Sequence, residues 1–165
     1  PIGAIAKFAD GGKVMAKKDI GLMAMTYENI YVGKVSIGAN MNHTLKTLLE
    51  AEAYDGPALV IAYAHCINHG IDMSKGLEAQ KKAVETGHWP LFRFNPELRA
   101  EGKNPFTIDS KEPVVPFMEF ANSENRFKQL LRKNPDVAKT LFDQAQKNVK
   151  LKYALYKQLS ELKVD

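Results

Sequence analysis

The chain has 165 residues, of which 45% are hydrophobic and 25% are charged. This size and composition are typical of one globular domain with a real core. The net charge of +4 is small, and the basic residues of the last third lie among acids and amides, which indicates a solvated helix face rather than a nucleic-acid-binding stripe. These residues are Lys128, Arg132, Lys133, Lys139, Lys147, Lys150, Lys152 and Lys157.

Features that the sequence lacks indicate where the protein resides. No apolar run approaches the roughly 20 residues that span a bilayer, and the first residues have no signal-peptide pattern. A single cysteine, Cys66, cannot form an internal disulfide, which agrees with a reducing cytoplasm. The opening PIGAIAKFADGG has no methionine, which indicates a processed chain or a piece of a longer one. We expect a cytoplasmic protein with neither membrane nor nucleic acid as a partner.

The first regular elements are a short helix and a strand. In DIGLMAMTYENI, Asp19 is placed to cap a helix start, which predicts a short helix within 19–30. The next run, YVGKVSI, is rich in β-branched residues, which predicts a strand over 31–37.

A second helix and a second strand follow. Asn40 can cap this helix, which ends before Gly56 and Pro57. The apolar run PALVIAYA, residues 57–64, does not alternate, as expected of a strand covered on both faces in a parallel sheet. The helix repeats apolar residues at the spacing of one buried face, and these are Met41, Leu45, Leu48 and Leu49.

The rest of the chain is predicted to contain a third helix, a short strand, a proline-rich segment and a helical C-terminal part. Ser74 can cap a helix that ends at Gly87, with Leu77, Ala83 and Val84 pointing inward. HWPLFRF then predicts a short strand, and the proline-rich segment 95–116 predicts an ordered excursion or linker. Pro135 suits the first turn of a helix over 136–162, about 40 Å long, which would pack across something larger than the chain. Its apolar stripe is Val137, Leu141, Ala145, Val149, Tyr153 and Tyr156, and Phe127, Leu130 and Leu131 mark the helical segment before it.

Cys66, in IAYAHCINHG, directly follows the second predicted strand. Because α/β proteins bind ligands in loops at the carboxyl ends of strands, Cys66 is expected in a ligand loop, although packing is the usual role of a small cysteine. With His65 and His69 it supplies too few ligands for the pattern of a structural zinc site, and we expect these histidines to form hydrogen bonds in the loop. A thiol nucleophile with a histidine as base is a further alternative.

A second candidate is the glycine-rich stretch ADGGK. Asp10, followed by Asn40 and Asn42, has about the spacing with which thiamine diphosphate enzymes hold magnesium and the diphosphate. Such a motif needs an apolar strand before it, and GAIAKFA with Lys7 does not have that character. We therefore interpret Asp10 and the glycines after it as a turn.

Four segments of the chain are long enough to compare with known families: GAIAKFADGGK, KKDIGLMAMTYENIYVGKVSIGAN, EAEAYDGPALVIAYAHCINHGIDMSKGLEAQKKAVETGHWPLFRFNPEL and GKNPFTIDSKEP. They closely resemble the C-terminal part of the pyruvate:ferredoxin (flavodoxin) oxidoreductase family. The similarity runs in order through about Pro116, and the helical tail also resembles the end of that family.

The resemblance implies both a fold and an activity. The fold is α/β: residues 1–95 form the second half of a thiamine-diphosphate-binding domain, with a parallel sheet and helices on both faces, followed by the excursion 96–116 and a C-terminal helical segment, 117–165. The activity is the oxidative decarboxylation of pyruvate with coenzyme A to acetyl-CoA and CO2, with electrons passing through 4Fe-4S clusters to ferredoxin or flavodoxin. The implied parent enzyme is a homodimer.

The resemblance also implies a role for Cys66, as the last of four thiolates that hold the 4Fe-4S cluster nearest the thiamine. The other three thiolates, and the GDG and SNTGGQ-like segments that hold magnesium and thiamine diphosphate, would lie upstream of Pro1. We therefore expect no catalytic residue in this chain and, for the chain alone, neither pyruvate oxidation nor a stable cluster.

Two alternatives remain open. One is a related oxidoreductase that acts on another 2-oxo acid. The other is a stand-alone, non-enzymatic α/β binding module, which predicts a monomer with a closed sheet edge. A fragment instead predicts exposed apolar surface where the missing strands belong.

Overall fold

A computed structural model describes residues 1–163. Its strands are β1 (Tyr31–Val35), β2 (Ala58–Ala62), β3 (Phe92–Phe94) and β4 (Phe106–Ile108). Its α-helices are α1 (Ile20–Met25), α2 (Met41–Ala53), α3 (Gly76–Glu85), α4 (Phe117–Ala121), α5 (Asn125–Lys133) and α6 (Pro135–Ser160). Short 3-10 turns lie at Ile67–His69, Met73–Lys75 and Pro96–Glu101.

The four strands form one sheet in the order β2-β1-β3-β4. β1 and β2 are parallel, with Tyr31 opposite Ala58 and Val35 opposite Ala62, and α2 is the crossover between them. This confirms the α/β class and the predicted strand–helix–strand unit. β3 is antiparallel to β1, and β4 is antiparallel to β3, so the sheet is mixed. β4 lies within the proline-rich segment, where its three residues are too few to show a period.

Local signals place several helix ends correctly. Asp19 caps α1 by accepting from the Leu22 amide, and Asn40 caps α2 by accepting from the His43 amide at 2.9 Å. Pro135 is the first residue of α6, close to the predicted start. Ser74 is not the cap of α3 as predicted, because Asp72 caps the preceding 3-10 turn and α3 begins only at Gly76.

The core consists of two apolar clusters. One lies on the sheet face that Tyr156 of α6 covers, with Val32, Phe92, Phe94 and Phe106. The other joins the N-terminal segment to the helical segment, where aromatic rings meet edge to face or tilted; its large members include Phe117, Phe120, Phe127, Leu130, Leu141 and Phe142. α6 therefore packs within the chain, against α4, α5 and β4.

The predicted buried face of α2 is wrong for the chain as described. Met41, Leu45, Leu48 and Leu49 have exposed fractions of 49–66%. α2 instead buries the opposite side, with His43, Thr44 and Thr47 against the sheet. The apolar period exists, but residues 1–163 contain nothing that covers it.

Two further burial predictions are also wrong. β2 is not covered on both faces: it is an edge strand of the described sheet, and its two end residues are exposed. Leu77 of α3 points outward, because α3 packs through Gly76, Ala79, Gln80 and Ala83. Among residues 1–163, no helix is long and apolar enough to cross a bilayer.

A half-buried ionic network connects α2 to the sheet. Arg93 donates to Asp109 through Nε (3.0 Å) and Nη2 (2.8 Å), and to Glu50 through Nη1 (2.6 Å). Asp109 also lies 2.9 Å from His43 Nε2, and Tyr31 donates to Glu50 at 2.9 Å. Burial alone would raise the pKa of Asp109, but hydrogen bonds from His43 and Arg93 outweigh it and hold that pKa below its ordinary value of 3.8.

This network predicts a loss of stability in acid. Since the pKa of Asp109 is lower in the folded chain than in the unfolded chain, its stabilising contribution is present above about pH 4 and is lost as pH falls through the lowered folded pKa. The urea midpoint of the chain, measured from about pH 7 to about pH 3, should fall less steeply in Asp109→Asn than in the wild type. The exposed Asp143→Asn is the control and should keep the wild-type slope. Equal slopes in all three proteins would contradict the prediction.

Candidate functional site

Cys66 lies in the loop after β2, at the carboxyl end of the parallel pair β1–β2, as predicted. It immediately precedes the 3-10 turn Ile67–His69, and its carbonyl accepts a hydrogen bond from the His69 amide at 2.9 Å. The thiol is free and half-buried. A side chain at this position is accessible from outside the chain while its backbone is held in place.

A glycine closes the turn. Gly70 has φ +71°, a left-handed conformation that side chains disfavour, and its amide donates to the Ile67 carbonyl at 2.8 Å. A Cβ atom on Gly70 would lie 2.4 Å from the Cβ atom of Asn125. The Asn125 amide in turn donates to the Gly70 carbonyl at 3.2 Å. The turn is therefore fastened to the start of α5, and only glycine fits there.

Gln80 of α3 clamps the other side of the loop. Its Oε1 accepts from the Gly38 amide (2.9 Å) and from the Ser36 hydroxyl (3.0 Å), both just after β1. Its Nε2 lies 3.0 Å from His65 Nδ1, next to Cys66. Gln80 is buried. Its side-chain amide therefore connects α3 to the segments that follow β1 and β2.

The hydrogen bonds of Gln80 also determine the His65 tautomer. Because two donors occupy Gln80 Oε1, Gln80 Nε2 must donate, and His65 Nδ1 must accept. The ring proton of neutral His65 then lies on Nε2, which packs against Gly76 so closely that a Cβ there would approach it to 2.3 Å. This confirms the predicted hydrogen-bonding role of His65.

A buried polar cluster lies under the turn. Glu124 has no solvent-exposed surface and pairs with Arg126 at 2.5 Å. His69 Nδ1 lies 3.8 Å from Glu124 Oε1, too far for a direct hydrogen bond, so the hydrogen-bonding role predicted for the His69 ring is wrong for the described residues. These two atoms and the Tyr63 hydroxyl are buried without a hydrogen-bond partner among the described residues. The cluster therefore retains unused hydrogen-bonding capacity beside the Cys66 loop.

Burial shifts the pKa values of two residues in this cluster. Burial lowers the pKa of His69 to about 4, and the neighbouring cations Arg126 and Lys17 lower it further. Burial also raises the pKa of Glu124, although Arg126 opposes that shift. His69 is therefore neutral at pH 7, and its contact with Glu124 is not an ion pair there.

The donor set fits one ligand of a metal cluster. A 4Fe-4S cluster takes four cysteine thiolates, and this chain has one cysteine. Among residues 1–163, no group of three or more His, Cys, Asp or Glu side chains is arranged to hold a metal ion. The half-buried Cys66 on a firmly held turn suits a single cluster ligand, and residues 1–163 offer no complete site.

The other sequence candidates do not join this site. Asp10 lies in a turn, as predicted, and pairs with Lys133 at 2.5 Å, while Asn40 caps α2. Gln80 was not predicted because its partners are distant in sequence. Glu124 was not predicted because its burial depends on tertiary packing, although its partner Arg126 is only two residues away. The only available signal for Glu124 was an acid between the apolar runs of α4 and α5.

Known proteins match the chain closely. It is 53% identical over 164 residues to the pyruvate-flavodoxin oxidoreductase of Trichormus variabilis, which covers 99% of the chain. It is 50% identical over 159 residues to the pyruvate:ferredoxin oxidoreductase of Moorella thermoacetica, which covers 96% of the chain. It is 44% identical over 171 aligned residues to the pyruvate dehydrogenase (NADP+) of Cryptosporidium parvum.

The chain belongs to the pyruvate:ferredoxin (flavodoxin) oxidoreductase family. It spans 14% of the length of the Trichormus and Moorella relatives and 9% of the Cryptosporidium relative. No protein-family model matches the chain. Identities of 44–53% along nearly the whole chain show the membership, and the chain corresponds to one segment of these longer relatives.

Proposed function

We propose that the chain is the C-terminal part of a thiamine-diphosphate-binding domain with the helical segment that follows it, and that Cys66 is one of four thiolates on a 4Fe-4S cluster. The observation that carries this proposal is the lone half-buried cysteine at the carboxyl end of the parallel strands, in a chain that matches pyruvate oxidoreductases over nearly its whole length. The other three thiolates come from outside the chain.

The parent enzyme then oxidatively decarboxylates pyruvate with coenzyme A to acetyl-CoA and CO2, and passes electrons through 4Fe-4S clusters to ferredoxin or flavodoxin. When bound, thiamine diphosphate with its magnesium ion supplies carbanion stabilisation and the clusters supply one-electron transfer. The names of the relatives include both ferredoxin and flavodoxin, so both carriers stay in the proposal. The parent is a cytoplasmic homodimer.

The residues of this chain hold the Cys66 loop in position and do not take part in the reaction themselves. Gln80 and Gly70 hold the Cys66 loop from two sides, and the buried residues beneath it exclude water from that side. A ligand held on a preorganised loop loses less conformational freedom when the cluster assembles.

The exposed apolar surfaces support a fragment rather than a stand-alone module. The outer face of α2 is uncovered and β2 is an open edge, as expected where further polypeptide packs. We propose that the isolated chain has no pyruvate oxidation activity. Size-exclusion chromatography distinguishes the fragment from the stand-alone module. The module would elute as a monomer, whereas the fragment would self-associate.

The test of Cys66 uses the complete polypeptide that carries this chain, purified without oxygen. We expect Cys66→Ala to lose about four iron atoms per polypeptide and nearly all pyruvate-dependent reduction of the carrier, with thiamine diphosphate still bound. The control is Asn68→Ala, an exposed residue of the same turn, which should keep both iron and activity.

The outcomes separate the proposals. Unchanged iron in Cys66→Ala would show that Cys66 is a packing residue, and the ligand proposal would be wrong. Wild-type turnover of another 2-oxo acid in preference to pyruvate would favour the related oxidoreductase and leave the role of Cys66 intact.

A further inference from the structure

A cavity of about 360 Å³ opens between the N-terminal segment, the sheet and α6. It does not include Cys66, although His69 from the same loop lies at its edge. Tyr63, Trp89 and Phe117 give it an aromatic wall. The cavity is large enough for a small ligand, so the charges that face it indicate which ligand chemistry it suits.

The most unusual lining residue is Lys34, which comes from the centre of the sheet. It is only 4% exposed, and its ammonium lies 4.3 Å from the centroid of the Trp89 ring. Within residues 1–163 it forms no ion pair. An ammonium largely removed from water without a carboxylate partner is costly, and this one lines the cavity.

Other cations surround the same space. Lys152 of α6 was predicted on a solvated helix face, but it turns inward and pairs with Asp19 at 2.5 Å. Arg126 is paired with Glu124, and the exposed Lys17 lines the other end of the cavity. Asp19 is the sole acid among the described lining residues. The cavity therefore has an excess of positive charge that its own acids do not neutralise.

The titration of these amines agrees with that excess. Burial lowers the pKa of Lys34 to about 7, and repulsion by Lys152 adds to the effect against the attraction of Asp19. Burial and repulsion by Arg126 also lower the pKa of Lys17. An anion inside the cavity would offset both repulsions, because an opposite charge within a few ångströms favours the protonated amine.

We propose that this cavity binds a small oxyanion, a carboxylate or phosphate group, at the Lys34 and Lys152 end, with any apolar part of the ligand against Trp89. The oxyanion accepts hydrogen bonds from two ammonium groups, while Lys17 and Arg126 raise the potential along the cavity. This site goes beyond the cluster-ligand function of Cys66 and does not depend on it.

Two sources could supply the same oxyanion chemistry. One is a free small molecule, for which inorganic phosphate is the probe. The other is an Asp or Glu side chain from the polypeptide outside this chain, since the chain is one segment of a longer enzyme. The test must therefore be made on the complete polypeptide, with a readout at single lysines.

The experiment measures the reaction of Lys34 with acetic anhydride against pH by peptide mass spectrometry, with chloride or inorganic phosphate as the anion. For a free-anion site, the midpoint of Lys34 should lie near 7 in chloride and rise by about one unit in phosphate, a roughly fivefold loss of reactive amine at pH 7. Lys147, exposed on α6, is the internal control and should not respond.

If Lys34 is already unreactive at neutral pH in chloride and phosphate has no effect, Lys34→Met decides the source. A lower melting temperature shows that a carboxylate of the polypeptide was paired with Lys34, which supports the site. An unchanged or higher melting temperature overturns the proposal, as does a Lys34 midpoint near 7 that phosphate does not move. Lys147→Met is the matched control for the loss of one charge.

Discussion

Arg93→Met should lower the free energy of unfolding of the chain by about 3–5 kcal/mol. The Arg93 side chain is 14% exposed and bridges Glu50 of α2 and Asp109 after β4 through three hydrogen bonds. Methionine preserves much of the side-chain volume but none of the charge. Two partly buried carboxylates would then lose their shared cation and keep only the hydrogen bonds of Tyr31 and His43, and desolvated charges without a counterion are among the most costly groups in a folded protein.

Urea unfolding followed by circular dichroism measures this effect, and Arg99→Met is the matched control. Arg99 is 43% exposed and approaches Glu28 at 3.6 Å, a surface pair of a kind that contributes about 0–1 kcal/mol. Similar losses in both variants would show that the Arg93 network does not stabilise the packing of α2 on the sheet.

Gln80→Leu is expected to have the second large effect, with a loss of about 3 kcal/mol and a loosened Cys66 loop. Leucine fills a similar volume but leaves the Ser36 hydroxyl, the Gly38 amide and His65 Nδ1 without their present partner. Each buried polar group left unpaired costs about 1–3 kcal/mol. Since the loop is fastened by Gln80 on one side, it should open more often.

Hydrogen exchange of the peptide around Cys66 measures that opening, and iron retention of the complete polypeptide measures its consequence. We expect faster exchange over residues 61–70 and faster iron loss in the presence of a chelator. Gln144→Leu, on an exposed part of α6, should change neither. If Gln80→Leu lowers stability without affecting iron retention, Gln80 supports the fold and does not position Cys66.

Much of the local structure could be predicted from short-range patterns. The caps at Asp19 and Asn40, the start of α6 near Pro135, and the strand–helix–strand order all depend on residues within a few positions of each other. The position of Cys66 in the loop after a strand also follows from such short-range patterns. Its ligand role came from family resemblance and stays a proposal.

Burial could not be predicted in the same way. The period of Met41, Leu45, Leu48 and Leu49 correctly indicates one apolar face on α2, but a period does not show whether a covering surface lies within the chain. In the described structure it does not. The apolar run of β2 is misleading for the same reason, because a strand suited to a sheet interior forms the edge of this sheet.

The sequence by itself therefore determined the first strand–helix–strand unit, the α/β class, the starts of α1, α2 and α6 and the placement of Cys66 in a loop, because these follow from local sterics, capping and periodicity. Only the tertiary structure decided which groups meet. Gln80 reaches Ser36 across 44 positions, Arg93 reaches Glu50 across 43, and Asp19 meets Tyr156 across 137. Such contacts have no local signature in the sequence, since only chain packing brings these residues together. Burial in the packed structure then lowers the pKa values of His69 and Lys34.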